Sequence, residues 1–161
     1  MARIESKLQT LGLVLPEPLK LPPGVSLPFP WVRVHENRAF ISGHAAQSAD
    51  GSLAAPMGKV GLDVTLEQAQ QSARLVGLSI LASLKRELGD LDRVSAWLRV
   101  FGMVNSAPGF RQQPAVINGF TNLIVELYGS QRGAHARSAV GMAELPFGIA
   151  VEIEAEVAID S

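Results

Sequence analysis

Two positions in the last quarter of the chain could carry chemistry. Arg137 opens an otherwise apolar stretch, Arg137-Ser138-Ala139-Val140-Gly141-Met142-Ala143, after a glycine-containing loop. A guanidinium fixed at the start of a strand offers a planar fork to a carboxylate. The same feature also fits a surface arginine paired with an acidic neighbour. Further on, Glu152, Glu154 and Glu156 alternate with Val151, Ile153, Ala155 and Val157. Such a row is ordinarily the solvated face of a strand. A glutamate beside an Arg-bearing strand could instead pair with it, or orient a water as general acid or base. The three histidines, His35, His44 and His135, are far apart and match no metal-ligand spacing. His44 follows a strand end in Ser42-Gly43-His44 and is the best placed of them to assist a proton transfer. A Ser-His-acid triad from Ser42 or Ser138 has no support. There is no phosphate-binding loop, no H-E-x-x-H, no G-x-S-x-G and no dinucleotide fingerprint.

These residues need a scaffold, and hydropathy supplies its outline. Apolar spacing at Ile4, Leu8, Leu11 and Leu15 predicts a short N-terminal helix, weakened in its second half by Gly12. Six of the ten prolines then fall within residues 16–30, which reads as an extended arm. The interleaved Leu19, Leu21, Val25, Leu27 and Phe29 imply that it packs down. Strands at residues 31–35 and 38–42 flank Glu36-Asn37 as a hairpin turn. A loop follows from Gly43 to Gly61, with a short strand expected near Leu53. Thr65 and Gln68 fit a capping box for a helix running to Leu88, closed by Gly89. Residues 93–104 form a β-rich run that is apolar on both faces. A second helix spans 114–128, with Pro114 in its first turn and Gly129 at its end. Strands at 137–143 and 150–159 close the chain. The order β-β-(β)-α-β-α-β-β places both helices on one face of a mixed sheet. The other face is then uncovered, and its apolar strands argue for self-association.

Composition bounds the function classes. The chain has 161 residues, no cysteine and a net charge of −1. One domain of ordinary size is expected, with residues 1–28 as a helix-and-arm extension and 29–161 as the body. Thiolate nucleophiles, Cys-ligated zinc and iron–sulfur clusters are excluded. A near-neutral chain has no global pull toward nucleic acid or anionic membrane. No apolar run reaches the ~18 residues of a membrane span, and the N-terminus lacks a signal-peptide core, so a cytoplasmic protein is expected. Charged residues make up 18% of the chain, below the roughly 25% usual for soluble domains, which again favours a large subunit interface.

Taken together, Ala136-Arg137-Ser138-Ala139-Val140, Leu145-Pro146 and Val151-Glu152-Ile153-Glu154-Ala155 resemble the Rid family, the YjgF-like reactive-intermediate deaminases also called the endoribonuclease L-PSP superfamily. Its patterns there are A-R-S-x-V, L-P and x-E-I-E-A. Phe40-Ile41-Ser42-Gly43 resembles the family's F-x-S-G strand end, and Asp90 to Val94 and Val116-Ile117-Asn118 also fit. The resemblance covers residues 29–159. The preceding helix and L-P-x-P arm look like those of a longer branch. The resemblance implies an α+β, chorismate-mutase-like fold: a mixed sheet with two helices on one face, assembled as a homotrimer around a barrel of sheets. It implies ligand clefts between subunits and no cofactor. The implied activity is hydrolysis of enamine or imine intermediates, such as 2-aminoacrylate, to a 2-keto acid and ammonia.

Carried across, Arg137 would bind the substrate carboxylate and Glu152 would orient the attacking water. Backbone groups of Gly43 and Ala139 would line the cleft, and Asn118 would be structural. The chain departs from the pattern at Phe29, where a Tyr is usual, at Ala139, where Cys is common, at His44, where Gln is usual, and at Gly141 and Met142. Anion binding is thereby retained while the cleft wall is altered. The alternative is a non-catalytic trimer that binds a small carboxylate metabolite, which the missing Tyr hydroxyl favours. An endoribonuclease is disfavoured because Arg132, His135 and Arg137 make only a small basic footprint.

Overall fold

The computed structural model describes residues 3–161. It contains three helices, α1 (Arg3–Thr10), α2 (Leu66–Leu88) and α3 (Gln113–Arg132). It contains five strands, β1 (Val32–His35), β2 (Arg38–Ala45), β3 (Val94–Asn105), β4 (Ala136–Met142) and β5 (Val151–Ile159). The strands form one sheet in the order β1-β2-β5-β3-β4. Only β3 and β4 run parallel, joined by the α3 crossover; the other neighbours are antiparallel.

Periodicity explains the layering. Along β5, Val151, Ile153, Ala155, Val157 and Ile159 are buried, and α2 packs against β2 and β5 while α3 packs against β3 and β4. The helix stripes close the same core: Ala69, Ala73, Val76, Ile80 and Leu84 from α2 meet Val116, Phe120, Leu123 and Leu127 from α3. Gly77 lets the helices approach, since a Cβ there would sit 2.8 Å from the Leu123 side chain. The capping box forms as expected, with Thr65 accepting from the Gln68 amide and Gln68 reaching back to the Thr65 amide. Gly89 ends α2 in the left-handed conformation, φ 79°.

Several boundaries differ from the periodic reading. The first helix stops at Thr10, not Leu15. Gly12 is left-handed, and the bonds Leu13 N–H to Leu8 C=O and Gly12 N–H to Gln9 C=O close the helix in a Schellman motif. The strand expected near Leu53 is a single bridge between Gln47 and Leu53. Helix α3 breaks at Gly129 (φ 80°, ψ 172°) but resumes a last turn to Arg132. The arm carries no regular structure. Its first half is pinned by Glu17 N–H to Ala49 C=O, Lys20 N–H to Gly51 C=O, and the Gln47 and Arg86 side chains donating to Glu17 and Pro16 carbonyls. In its second half Val25 and Phe29 are exposed.

One sheet face has no helix on it, as expected, but it is not uniformly apolar. Paired residues in a sheet share a face, so Glu154 lies beside Phe101, and Glu156 lies between Phe40 and Arg99. Arg38 donates to Glu156 at 2.8 Å. The alternation that buries five residues of β5 toward the helices necessarily turns its glutamates to this face. At one end the face is partly capped, where Leu145 and Ile149 pack on Met103. No helix among the described residues is long and apolar enough to cross a membrane.

Candidate functional site

Arg137 sits on β4, an edge strand of which no residue is fully buried. Its pairing with Val100, which is buried toward the helices, turns the guanidinium onto α3. There one terminal nitrogen, Nη1, donates to Asn118 Oδ1 at 2.9 Å and to Thr121 Oγ1 at 3.0 Å, while Nη2 donates to the Pro114 carbonyl at 3.3 Å. A guanidinium has five N–H groups. Among the described residues three are used, which leaves Nε–H and one Nη2 hydrogen. Two donors on neighbouring nitrogens are what a carboxylate takes in bidentate fashion. Partial burial lowers the pKa of Arg137 from its ordinary value, but it remains a cation.

Glu152 sits on β5 opposite Met103 and Ala45, on the face without helices. Its carboxylate lies over Gly43, in contact with the space a Cβ there would occupy. The register of β2 against β5 shifts between Ile41 and His44, so Ser42 and Gly43 form an irregular segment below this carboxylate. Half-burial raises the pKa of Glu152, and the neighbouring Glu154 adds to the rise. A carboxylate with a raised pKa is a better proton acceptor near neutral pH.

The two residues do not meet. Strand β3 lies between β4 and β5, and Arg137 pairs with Val100 while Glu152 pairs with Met103. An odd separation along β3 puts the two side chains on opposite faces. The direct Glu–Arg pair that the sequence allowed is therefore absent. Glu152 shares its face with Phe29, which stands half exposed and edge-on to Trp31, the ring centroids 6.2 Å apart. Phe29, Arg33, Phe40, Phe101 and Glu154 line an open concavity of about 370 Å³ on that face. Ala139 pairs with Gly102 and shares the helix-side face with Arg137.

His44 is brought to neither site. It pairs with Ile153 and points inward, 3% exposed. Its Nδ1 lies 2.6 Å from the Ser42 carbonyl and its Nε2 lies 2.8 Å from Ser83 Oγ. Burial depresses its pKa to about 4, so the ring is neutral at pH 7. It fastens the irregular segment of β2 to α2. His35 is exposed at the end of β1. Sequence reading passed over Thr121. Its signal was the spacing Asn118, Thr121, which puts both on one helix face, but only the fold shows that this face meets Arg137. No group of acidic and imidazole side chains suited to a metal ion occurs among the described residues.

A five-stranded mixed sheet with two long helices on one face is the α+β, chorismate-mutase-like architecture. Known proteins place the chain further. No family model matches it. Protein TCP17 of Trypanosoma cruzi is 35% identical over 160 residues, 99% of this chain and 96% of that protein. A solved structure from Agrobacterium tumefaciens, of unknown function, is 38% identical with a TM-score of 0.86, covering 99% of this chain and 93% of that one. A candidate endoribonuclease from Shewanella oneidensis is 25% identical with a TM-score of 0.85, covering 97% and 99%. The fold alone is shared with E. coli TdcF with bound serine, 20% identical with a TM-score of 0.58 over 90% and 99% of the two chains. The chain belongs to one family with TCP17 and the Agrobacterium protein, and its fold is that of the L-PSP and RidA proteins.

Proposed function

We propose that this protein deaminates small enamine or imine acids of the 2-aminoacrylate type, releasing a 2-keto acid and ammonia. In this reading it does so in the cytoplasm, without a cofactor, in clefts between the subunits of a homotrimer. The observation that carries the reading is the pair of donors left on Arg137, which suits a carboxylate. The bound serine named for E. coli TdcF is likewise a small carboxylate. Because Arg137 and Glu152 face opposite sides of one sheet, a ligand touching both requires Arg137 from one copy and Glu152 from another. The exposed edge strand β4 and the helix-free face with its concavity are surfaces a second copy could cover.

The chemistry asks little of the protein. Protonation of the enamine at carbon by solvent gives the iminium ion, whose carbon is electrophilic. Glu152 takes a proton from water as the oxygen adds to that carbon. The same proton passes to nitrogen; as the C–N bond breaks and ammonia leaves, Glu152 takes the hydroxyl proton, the C=O forms, and the proton returns to solvent. Positioning and one proton shuttle suffice. Gly43 and Ala139 are assigned to the cleft by their backbone groups, and Phe29 to its wall. His44 has no part in proton transfer in this scheme, because its ring is buried and both its nitrogens are engaged.

A second reading is a non-catalytic trimer that binds a small carboxylate, supported by Phe29, whose ring brings no hydroxyl. Some fold relatives carry endoribonuclease names, but a net charge of −1 weighs toward a small ligand rather than RNA. The test is ammonia and keto-acid release from freshly generated 2-aminoacrylate by wild type, Arg137→Ala and Glu152→Gln, with the solution mass measured alongside. Acceleration lost in both variants, at a mass of three chains, is the expected outcome. Carboxylate binding by wild type without turnover would favour the second reading, and full activity in Arg137→Ala would remove the site.

A further inference from the structure

The Arg137 guanidinium is held by a directional chain that continues beyond it. Thr121 Oγ1, which accepts from Arg137 at 3.0 Å, is also 3.0 Å from His135 Nε2. His135 Nδ1 is 2.8 Å from the Gly133 carbonyl. A carbonyl only accepts, so Nδ1 carries the hydrogen and Nε2 accepts from the threonine hydroxyl. Each link then has one sense: Arg137 to Thr121, Thr121 to His135, His135 to Gly133. The hydroxyl hydrogen is committed to the imidazole, so the oxygen can present only lone pairs to Arg137. His135 and Arg137 are two residues apart in an extended segment, so both face α3. Phe120 meets the imidazole in a T-shaped contact, 6.2 Å between centroids. A second chain of the same order occurs in the molecule: Arg86 to Ser83, Ser83 to His44, His44 to the Ser42 carbonyl. There the guanidinium is turned onto the Pro16 carbonyl and holds the arm.

We propose that Thr121 and His135 are positioning residues for Arg137, the hydroxyl–imidazole pair fixing the rotation of the guanidinium so that its Nε–Nη2 edge is presented to a ligand carboxylate. The inference rests on the reading of Arg137 as the carboxylate binder. Burial and the nearby Arg137 charge both lower the His135 pKa, against the opposing Gly133 hydrogen bond. Among the described residues Arg137 is the charged group acting on it. That lowering favours the neutral ring the chain requires, since in a protonated ring Nε2 would donate to Thr121 and reverse the link.

The test uses pyruvate as the carboxylate probe, with binding followed by calorimetry and His135 by ¹⁵N NMR. In wild type at pH 7.5 the imidazole should be the Nδ1–H tautomer, with and without pyruvate. Thr121→Val, which keeps shape and loses the hydroxyl, should weaken pyruvate about tenfold, the worth of one hydrogen bond to a charged group. Thr121→Ser should restore binding to within about twofold. With 2-aminoacrylate the loss in Thr121→Val should fall on KM rather than kcat. An Nε2–H tautomer in wild type, a measurement that needs no variant, would overturn the chain. Wild-type pyruvate affinity in Thr121→Val, with affinity lost in Arg137→Ala, would overturn the inference and leave the site assignment standing. Unchanged affinity in Arg137→Ala would overturn both.

Discussion

Gly43→Ala isolates the placement of the Glu152 carboxylate from everything else that holds the site. A Cβ at Gly43 would lie 3.0 Å from Glu152 Cδ and 3.3 Å from Cγ, and would overlap Oε2. Carbon contacts are comfortable near 3.5–4.0 Å, so the carboxylate must retreat by about 1 Å. Gly43 is not among the glycines with positive φ, so alanine fits the backbone and any loss belongs to the side-chain clash. The intruding atom meets the far end of a flexible side chain. Relief by rotation therefore costs about 0.5–1.5 kcal/mol at most, and unfolding free energy should drop by no more than that. Catalysis is less forgiving, since a misplacement of about 1 Å can cost on the order of 10²-fold. Turnover of 2-aminoacrylate, read as ammonia release, should fall 10- to 100-fold in kcat with KM little moved. A ¹³C titration of the Glu152 carboxyl supplies a readout that does not depend on turnover. Burial raises its pKa in the wild type, so displacement toward water should lower it toward the ordinary glutamate value. A Gly43→Ala protein with wild-type kcat and an unshifted Glu152 titration would refute the argument that Gly43 exists to seat this carboxylate.

Three further outcomes are expected. Arg137→Lys keeps the charge but loses the planar fork and the three contacts to Asn118, Thr121 and Pro114; at about 1.5–3 kcal/mol for each charged hydrogen bond, pyruvate affinity measured by calorimetry should fall at least tenfold. His44 is neutral in the folded protein down to about pH 4, whereas in the unfolded chain it protonates near 6.5. Stability that is present above pH 6.5 is therefore lost as pH falls toward 4, by about 3 kcal/mol in full; the difference in urea unfolding between pH 7 and pH 5 should be smaller in His44→Gln than in wild type. Thr65→Ala removes one half of the capping box of α2 and should cost about 1 kcal/mol, seen as a melting temperature roughly 2–4 °C lower.

The elements of this fold are local facts of the sequence. The 3.6-residue spacing from Leu66 to Leu88 and the two-residue spacing from Val151 to Ile159 each select one hydrogen-bonding pattern and one buried face. The caps at Thr65 and Gly89 are equally local, because capping is settled within four residues. Two helices with one apolar face each, and a run of apolar or alternating strands, already limited the chain to a two-layer α+β domain. The spaced motifs around Arg137 and Glu152 added a resemblance to the Rid superfamily. Less legible were the places where one residue decides: Gly12 closing α1 five residues early, and the bridge at Leu53 that never becomes a strand.

The relation between the candidate residues was beyond the sequence. Arg137 and Glu152 looked like neighbours on adjoining strands. Only the pairing of β3 with β4 on one side and β5 on the other shows that they face opposite layers, because a register of one residue inverts a strand's faces. The same holds for His44, which reads as a residue of the cleft and lies inside against Ser83, after an irregular segment that no local pattern announces. Thr121 and His135 reach Arg137 through the packing of a helix on an edge strand. Side-chain identity and spacing set what each element could offer; which side chains meet was decided by long-range register and packing, which no window of the chain contains.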